Sequence, residues 1–452
     1  MAHHTCDYLI IGNSAAGVTA AEFLSAAAPD KSITMVSHEP YRCYGRPLIS
    51  YLLEGKTDRE HLDYKSADFY EKRGIETLFG AEFEAVALDA SVHEVKLAGG
   101  EEISYGKCLL ATGSVPFIPP IAGMEGRTNV HTFITLDDAL AAWDDVLAAT
   151  ERAHEEGRES RIVVIGGGLI GMKAAEALSH HADRIDVFDR SPRILPAVLD
   201  ADGAAVVSRL VEPHGIFCHP SMSVDEMLGE GERVTHVRLT DGSDEACDMV
   251  IVAVGVRPAS KLAVEAGAEQ GRGLICGPDL QTSLPDVYAA GDVTQVTDTL
   301  DGSERPLALW PNAVRQGRIA AMHMAGVPGA LPDEGSFAVN AVDFFDITLL
   351  TSGIINPPVD GDFDVRVEVE DDEYVKFVMR DGKLVGYVLL NRPDNAGMYT
   401  AMIDVVPVAS LAADTFDRVP LNIDFPQGAA RMHRGYPSTL NGLGWPKAEG
   451  EE

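Results

Sequence analysis

The stretch YRCYGRPLISYLLEGK, Tyr41 to Lys56, crowds a thiol, two guanidinium groups and two phenols into its first six residues, ahead of a run that reads as an apolar helix. A thiol does redox chemistry as its thiolate, so Cys43 is either a working nucleophile with a lowered pKa or an ordinary core thiol beside the chemistry. The six cysteines (Cys6, Cys43, Cys108, Cys218, Cys247, Cys276) are never closer than 29 positions. That spacing excludes a CxxC pair and a zinc or iron–sulfur cluster, and no metal site is expected. His3 and His4 read as a frayed start rather than as metal ligands.

Two other segments carry a different chemistry. YLIIGNSAAGVTAAEFL (Tyr8 to Leu24) and RIVVIGGGLIGMKAAEAL (Arg161 to Leu178) each read as a short apolar strand, a glycine-bearing turn and a helix. Gly17, Ala20, Ala21 and Leu24 in the first, and Gly171, Ala174, Ala175 and Leu178 in the second, recur at the spacing of a helix face laid on a sheet. In such a turn the first glycine permits the bend, the second lets backbone approach a pyrophosphate, and the third lets helix and strand pack closely. The helix N-terminus adds partial positive charge. The second copy has Gly166, Gly168 and Gly171, whereas the first keeps Gly12 and Gly17 and places Ser14 in the middle. Two framed copies are a far stronger signal for dinucleotides than one.

A further repeat points to duplication. HEVKLAGGEEISYGKCLLATG (His93 to Gly113) and THVRLTDGSDEACDMVIVAVG (Thr235 to Gly255) align without a gap, each as strand, tight turn, strand, then an apolar strand ending in glycine. An acid at the end of the second strand of such a unit accepts ribose hydroxyls. In the second unit this is Asp189, whose carboxylate repels a 2′-phosphate and so favours NADH, with Arg190 and Arg193 tempering the preference. In the first unit Ser37 and His38 precede Glu39, so the acid has slipped along the chain.

The length of 452 residues fits two or three domains. No apolar run approaches the roughly 20 residues of a membrane span, and a first strand starting near Tyr8 leaves no room for a signal peptide, so a cytoplasmic location without membrane attachment is expected. A formal charge of -34 repels a phosphate backbone and excludes nucleic acid as the natural partner.

Beyond these units, LQTSLPDVYAAGDVTQV (Leu280 to Val296) ends a VYAAGD run at Asp292. Together with the first glycine turn and LLATGS (Leu109 to Ser114), it resembles the flavoprotein pyridine nucleotide-disulfide oxidoreductase family. YGRPLIS resembles the branch of NADH:rubredoxin reductases, nitrite reductase flavin subunits and ferredoxin reductases. The resemblance implies an α/β fold with two nested Rossmann-like dinucleotide-binding domains, glutathione-reductase-like, plus a C-terminal α+β domain. It places FAD in residues 1–119 and 257–327, NAD(P)H in 120–256, and an interface or acceptor domain with a tail in 328–452. VPFIPPIAG and GVRP mark the crossings. YVKFVMRDGKLVGYVLL reads as a hairpin turning at Asp381-Gly382, and DVRVEVE as a half-buried strand. The stretch from Leu411 reads as a loosely ordered extension.

The resemblance also assigns residues. FAD falls to Gly12, Ser14, Ala15, Ala16 and Gly17 of the first turn, to His38 and Glu39, to Arg46 and Pro47, to Ala111, Thr112 and Gly113, to Gly291 and Asp292, and to Trp310 at the start of the WPNAVRQGRIAAMHMAG helix. NADH falls to Gly166, Gly168, Leu169, Ile170, Gly171, Asp189 and Gly255. Several branches carry a cysteine facing the flavin. That position falls here on Pro47, four residues after Cys43. Where the wider family has glutamate two residues after the last turn glycine, this chain has Lys173, whose ammonium is expected to favour reduced flavin and orient the nicotinamide. The function implied is an FAD-dependent NAD(P)H oxidoreductase, monomer or homodimer, passing electrons to a small redox protein such as a rubredoxin. Alternatives are an NADH oxidase or coenzyme A disulfide reductase working through Cys43, and a nucleotide-binding subunit of a larger redox complex.

Overall fold

The computed structural model describes residues 3–403. Two compact units emerge: Met1–Ala197 with Ala204–Ala338, and Val198–Gly203 with the residues from Val339 on.

The first unit opens β1 (His3–Ile11), α1 (Ala15–Ala27), β2 (Ile33–Ser37), α2 (Ile49–Leu53), α3 (Phe69–Lys72), β3 (Ile75–Phe79), β4 (Ala85–Asp89), β5 (Glu94–Leu97), β6 (Glu102–Leu110) and β7 (Ser114–Pro116). It continues β8 (Val130–His131), α4 (Leu136–Glu155), β9 (Arg161–Ile165), α5 (Leu169–Ser179), β10 (Arg184–Asp189), α6 (Ala201–Val211), β11 (Ile216–Pro220), β12 (Val224–Leu228), β13 (His236–Leu239), β14 (Asp244–Ala246), β15 (Met249–Val252) and β16 (Val256–Pro258). It closes with α7 (Lys261–Glu265), β17 (Val287–Ala289), the short ribbon β18 (Val296–Thr297) and β19 (Glu304–Arg305), and α8 (Trp310–Met324).

Two separate sheets hold the two glycine turns. One orders its strands β3-β2-β1-β6-β5-β4, with β17 added on β6; the other runs β11-β10-β9-β15-β8. The strands flanking each turn pair in parallel, β1 with β2 and β6, β9 with β10 and β15. Parallel strands buried on both faces need continuous apolar runs, which is why LII in β1 and IVVI in β9 carry no charge. Gly17, Ala20, Ala21 and Leu24 of α1, and Gly171, Ala174, Ala175 and Leu178 of α5, are all buried, as their spacing requires. The antiparallel β7–β16 ribbon carries the chain out of the first sheet's neighbourhood and back. β12-β13-β14 forms a separate meander.

Three local expectations change. β1 starts at His3, not near Tyr8, because His3–Cys6 extend the parallel ladder against Glu102–Tyr105; the two histidines belong to a strand rather than a frayed start. In the repeat of residues 93–113 the second and third expected strands are one, β6, whereas residues 235–255 keep β14 and β15 apart. The apolar helix after Arg46 is only the five residues of α2.

The second unit is an antiparallel sheet of β20 (Val339–Phe344), β21 (Ile347–Gly353), β22 (Asp364–Glu370), β23 (Glu373–Arg380) and β24 (Lys383–Leu390), followed by α9 (Ala396–Met402). Asp381 and Gly382 both have positive φ at the β23–β24 turn, the geometry that an Asp-Gly pair favours. Asp200 joins this unit by accepting from Tyr374 Oη and Lys376 Nζ, each at 2.6 Å. β22 was expected to be half buried, yet every residue in it is exposed. Among the described residues it is an edge strand paired with β23, and Val365, Val367 and Val369 meet no covering layer there. The stretch from Leu411 lies outside the described residues.

Candidate functional site

The first and last positions of each glycine turn admit nothing but glycine. A Cβ on Gly12, at φ +115°, would lie 2.1 Å from the Ala111 carbonyl oxygen, and one on Gly17 would lie 2.0 Å from that of Gly12. The second turn repeats this closeness: a Cβ on Gly171 would sit 1.8 Å from the Gly166 oxygen. Such contacts draw α1 and α5 onto their sheets and aim their N-termini outward. Ser14 and Gly168 are the respective N-cap residues, and neither gives a side-chain cap to the first-turn N–H groups. A Cβ on Gly168 would meet nothing within 4 Å, so there is open space at the start of α5, where the first-turn N–H groups have no partner within the helix.

At the edge of the second turn, Asp189 ends β10. Its Oδ2 accepts from the Gly167 N–H and its Oδ1 from the Ser191 N–H, both at 2.6 Å. The carboxylate is thereby fixed beside the turn with lone pairs to spare for ribose hydroxyls. Gly255 follows β15 at φ +115°, just before the β7–β16 ribbon.

Asp292 follows Gly291, where a Cβ would lie 3.2 Å from that of Ala16, so it stands beside the first glycine turn. Burial raises its carboxyl pKa, opposed by a 3.1 Å hydrogen bond from Ser114 Oγ and by the charge of Arg46. Gly291 is held by its N–H donating to Oε1 of the fully buried Gln316 on α8, at 2.8 Å. α8 itself lies tight on α1, since a Cβ on Gly317 would be 2.3 Å from the Ala16 oxygen. Its first residue, Trp310, stacks edge-on against Tyr64 at 5.0 Å between centroids. Ser114 closes the LLATGS run and Gln316 lies within the WPNAVRQGRIAAMHMAG helix, but neither motif announces by itself which partner its side chain meets.

The Arg46 neighbourhood differs from a free cation waiting for phosphate. Its Nη2 donates to Glu39 Oε1 at 2.5 Å and its Nη1 to the Ile134 carbonyl at 3.2 Å, and the guanidinium lies over the Tyr44 ring. Tyr44 Oη donates to the other Glu39 oxygen at 2.6 Å and accepts from the Leu136 N–H. Glu39 thus ties Tyr44 and Arg46 together within the loop. His38 and Pro47 are exposed. Thr112 Oγ1 donates to the Ala259 carbonyl at 2.8 Å, and Ala111 N–H to that of Ile11, fixing the strand ends beside the first turn.

Cys43 is 1% exposed, and burial pushes its thiol up to about 12 despite the opposing charge of Arg46. At pH 7 that leaves roughly one thiolate in 10⁵. Its N–H donates to Tyr70 Oη, which donates in turn to Asn13 Oδ1 in the first turn.

Lys173 pairs with Glu54 at 3.3 Å and with Glu176, so its charge is matched by one carboxylate a turn along its own helix and by another from 119 positions away, which no local pattern announces. Among the described residues no group of three or more His, Cys, Asp or Glu could hold a metal ion, and no helix is long and apolar enough to cross a membrane.

Residues 6–317 match the family model described as pyridine nucleotide-disulphide oxidoreductase. The chain belongs to that family. It is 30% identical to the nitrite reductase (NAD(P)H) of Bacillus subtilis over 87% of its own length, and spans only 47% of that larger protein. It is 28% identical over 89% of its length to the NADH-dependent phenylglyoxylate dehydrogenase subunit epsilon of Aromatoleum evansii, of which it covers 93%. A ferredoxin reductase structure from Rhodopseudomonas palustris superposes with a TM-score of 0.75 at 27% identity, covering 85% of this chain and 91% of that one. The family's cofactors are FAD and a nicotinamide dinucleotide. The uncapped helix ends, the open space at Gly168 and the half-buried carboxyl of Asp292 fit two dinucleotides.

Proposed function

We propose that this protein is an FAD-dependent NADH oxidoreductase that passes electrons to a small redox protein, of rubredoxin or ferredoxin type, without an intervening thiol. In this reading residues 1–119 and 257–327 hold FAD, 120–256 hold NADH, and 328–452 form the interface or acceptor domain. The observation that carries it is the pair of uncapped glycine turns within one unit, coupled with a Cys43 too buried to form a thiolate. When bound, FAD would supply the redox chemistry, accepting reducing equivalents from NADH and passing them on singly or in pairs.

The protein's own residues then bind and orient. The first turns of α1 and α5 offer N–H groups to the two pyrophosphates, and Asp189 receives the NADH ribose. Asp292, steadied by Ser114 and by the Gln316–Gly291 hydrogen bond, offers its carboxyl to the flavin side chain. The N-terminus of α8 brings partial positive charge toward the flavin ring. The likeness to a ferredoxin reductase supports a small iron–sulfur acceptor. The likeness to a dehydrogenase subunit supports a second reading, in which the same chain feeds electrons within a larger complex.

The test is anaerobic reduction of the FAD-loaded protein by NADH, followed by a screen of oxygen, rubredoxin, ferredoxin and coenzyme A disulfide as acceptors. Bleaching by NADH and rapid reoxidation by rubredoxin or ferredoxin are expected. A colourless chain that cannot be reconstituted with FAD refutes the proposal.

A further inference from the structure

Helix α2 follows the loop that leaves the first sheet, whereas α5 starts at the second glycine turn, and the two helices pack against each other. Four charges meet at this contact. Glu54 and Lys56 come from the end of α2 and the residues after it; Lys173 and Glu176 stand one turn apart on α5. Lys173 Nζ contacts Glu54 at 3.3 Å and also pairs with Glu176; Lys56 Nζ contacts Glu54 at 2.7 Å and Glu176 at 3.6 Å. The carboxylates are 0% and 1% exposed, against 14% for Lys173 and 45% for Lys56. The Tyr51 ring faces both ammonium groups, at 4.7 and 5.4 Å.

Two carboxylates and two ammonium groups cancel, so the cluster exerts little net field. A network whose carboxylates are buried is a poor source of stability compared with apolar packing, but its directional contacts can select one arrangement of the elements that carry it. Here those elements belong to the two different dinucleotide units. Hydride transfer demands reacting atoms about 3–3.5 Å apart, and a 1 Å misplacement costs on the order of 100-fold in rate. We propose that Glu54, Lys56, Lys173 and Glu176 are positioning residues: they lock α2 to α5 and so set the distance between the two crevices. The proposal rests on the reading that both crevices hold dinucleotides. It assigns Lys173 a geometric role in place of the charge role suggested by its position after the glycine turn.

Charge exchange separates these roles. Lys173→Glu leaves three carboxylates against one ammonium, Glu54→Lys leaves the reverse, and the double variant restores two of each with the sign at position 173 inverted. The rate of anaerobic flavin bleaching at saturating NADH, the Kd values for FAD and NADH, and Tm are measured on the full chain. Each single variant is expected to lose on the order of 100-fold in limiting rate, with Kd values within about 3-fold of wild type because each crevice remains whole. The double variant is expected to recover to within about 5-fold of wild type. Where a charge-reversed single does not fold, Lys173→Gln and Glu54→Gln replace the singles, and their rate losses must be non-additive in combination.

A double variant that regains Tm while its rate stays at the Lys173→Glu level overturns the proposal, since the cation itself is then needed. Single variants that lower Tm and leave the rate unchanged also overturn it, because the cluster is then only structural. A wild-type protein that binds FAD but is not bleached by NADH removes the underlying functional reading, and the positioning role with it.

Discussion

Asp189→Asn is the perturbation that tests most directly whether the second crevice reads a ribose. The substitution keeps shape and removes charge. In the wild type both carboxylate oxygens accept backbone N–H groups, from Gly167 and Ser191, so the side chain is held in one place and its charge faces whatever binds at the end of β10. For NADH, replacing a charge-assisted hydrogen bond to ribose by a neutral one costs about 1 kcal/mol, or about 5-fold in KM. For NADPH the term is repulsion between the carboxylate and a 2′-phosphate of about two charges. Asp189 is only half-buried, so water-like screening applies, at about 1 kcal/mol per charge pair at 4 Å, giving about 2 kcal/mol or roughly 30-fold. The two effects multiply to a selectivity change on the order of 100-fold toward NADPH, with exposed Arg190 next in the chain as a ready phosphate partner. The assay is kcat/KM for flavin reduction by each nucleotide at low ionic strength. An NADH to NADPH ratio that stays within about 2-fold of wild type refutes the placement of the ribose at Asp189.

Three further outcomes are expected. Cys43→Ser leaves NADH-driven acceptor reduction within about 2-fold, and thiol labelling of the native protein at Cys43 stays slow at pH 7 and accelerates only as pH rises toward 12, because burial holds the thiol neutral; a dead Cys43→Ser variant restores the thiol mechanism. Asp292→Asn weakens FAD binding and flattens the pH dependence of apoprotein stability: the folded pKa is raised, so the native state holds this proton more tightly and loses stability as pH climbs from the unfolded value of 3.8, a slope measurable as Tm against pH that the amide cannot show. Gln316→Leu strands the buried Gly291 N–H and costs about 1–3 kcal/mol in chemical unfolding, with easier loss of FAD; unchanged stability would show that the hydrogen bond has a substitute.

What could be read from sequence was whatever local pattern encodes. The glycine turns announce themselves because close approach at Gly12, Gly17, Gly166 and Gly171 forbids any Cβ, and the small residues of α1 and α5 recur with the helical period. The hairpin at Asp381-Gly382 was legible for the same reason. Patterns fail where a neighbour decides. The alternating valines of β22 promise one buried face, but among the described residues its edge position leaves both faces exposed. His3 and His4 join a strand only because Glu102 and Ile103 extend the ladder to meet them. Glu54 and Lys173 are 119 positions apart, and nothing local to either announces the other. The Glu39–Arg46 pair lies within one short loop, yet its meaning depends on Tyr44 and on the Ile134 carbonyl brought in from afar.

The β7–β16 ribbon has a consequence for how such a chain can be altered. Val115 lies opposite Arg257, so residues 117–255 depart and return through one narrow doorway. A closed excursion of that kind has its ends already joined, which makes it a natural cassette: lengthening, trimming or exchanging it need not disturb the order of strands in the sheet around β1 and β6. If NADH binds in residues 120–256 as proposed, its preference over NADPH travels with a single contiguous piece of chain.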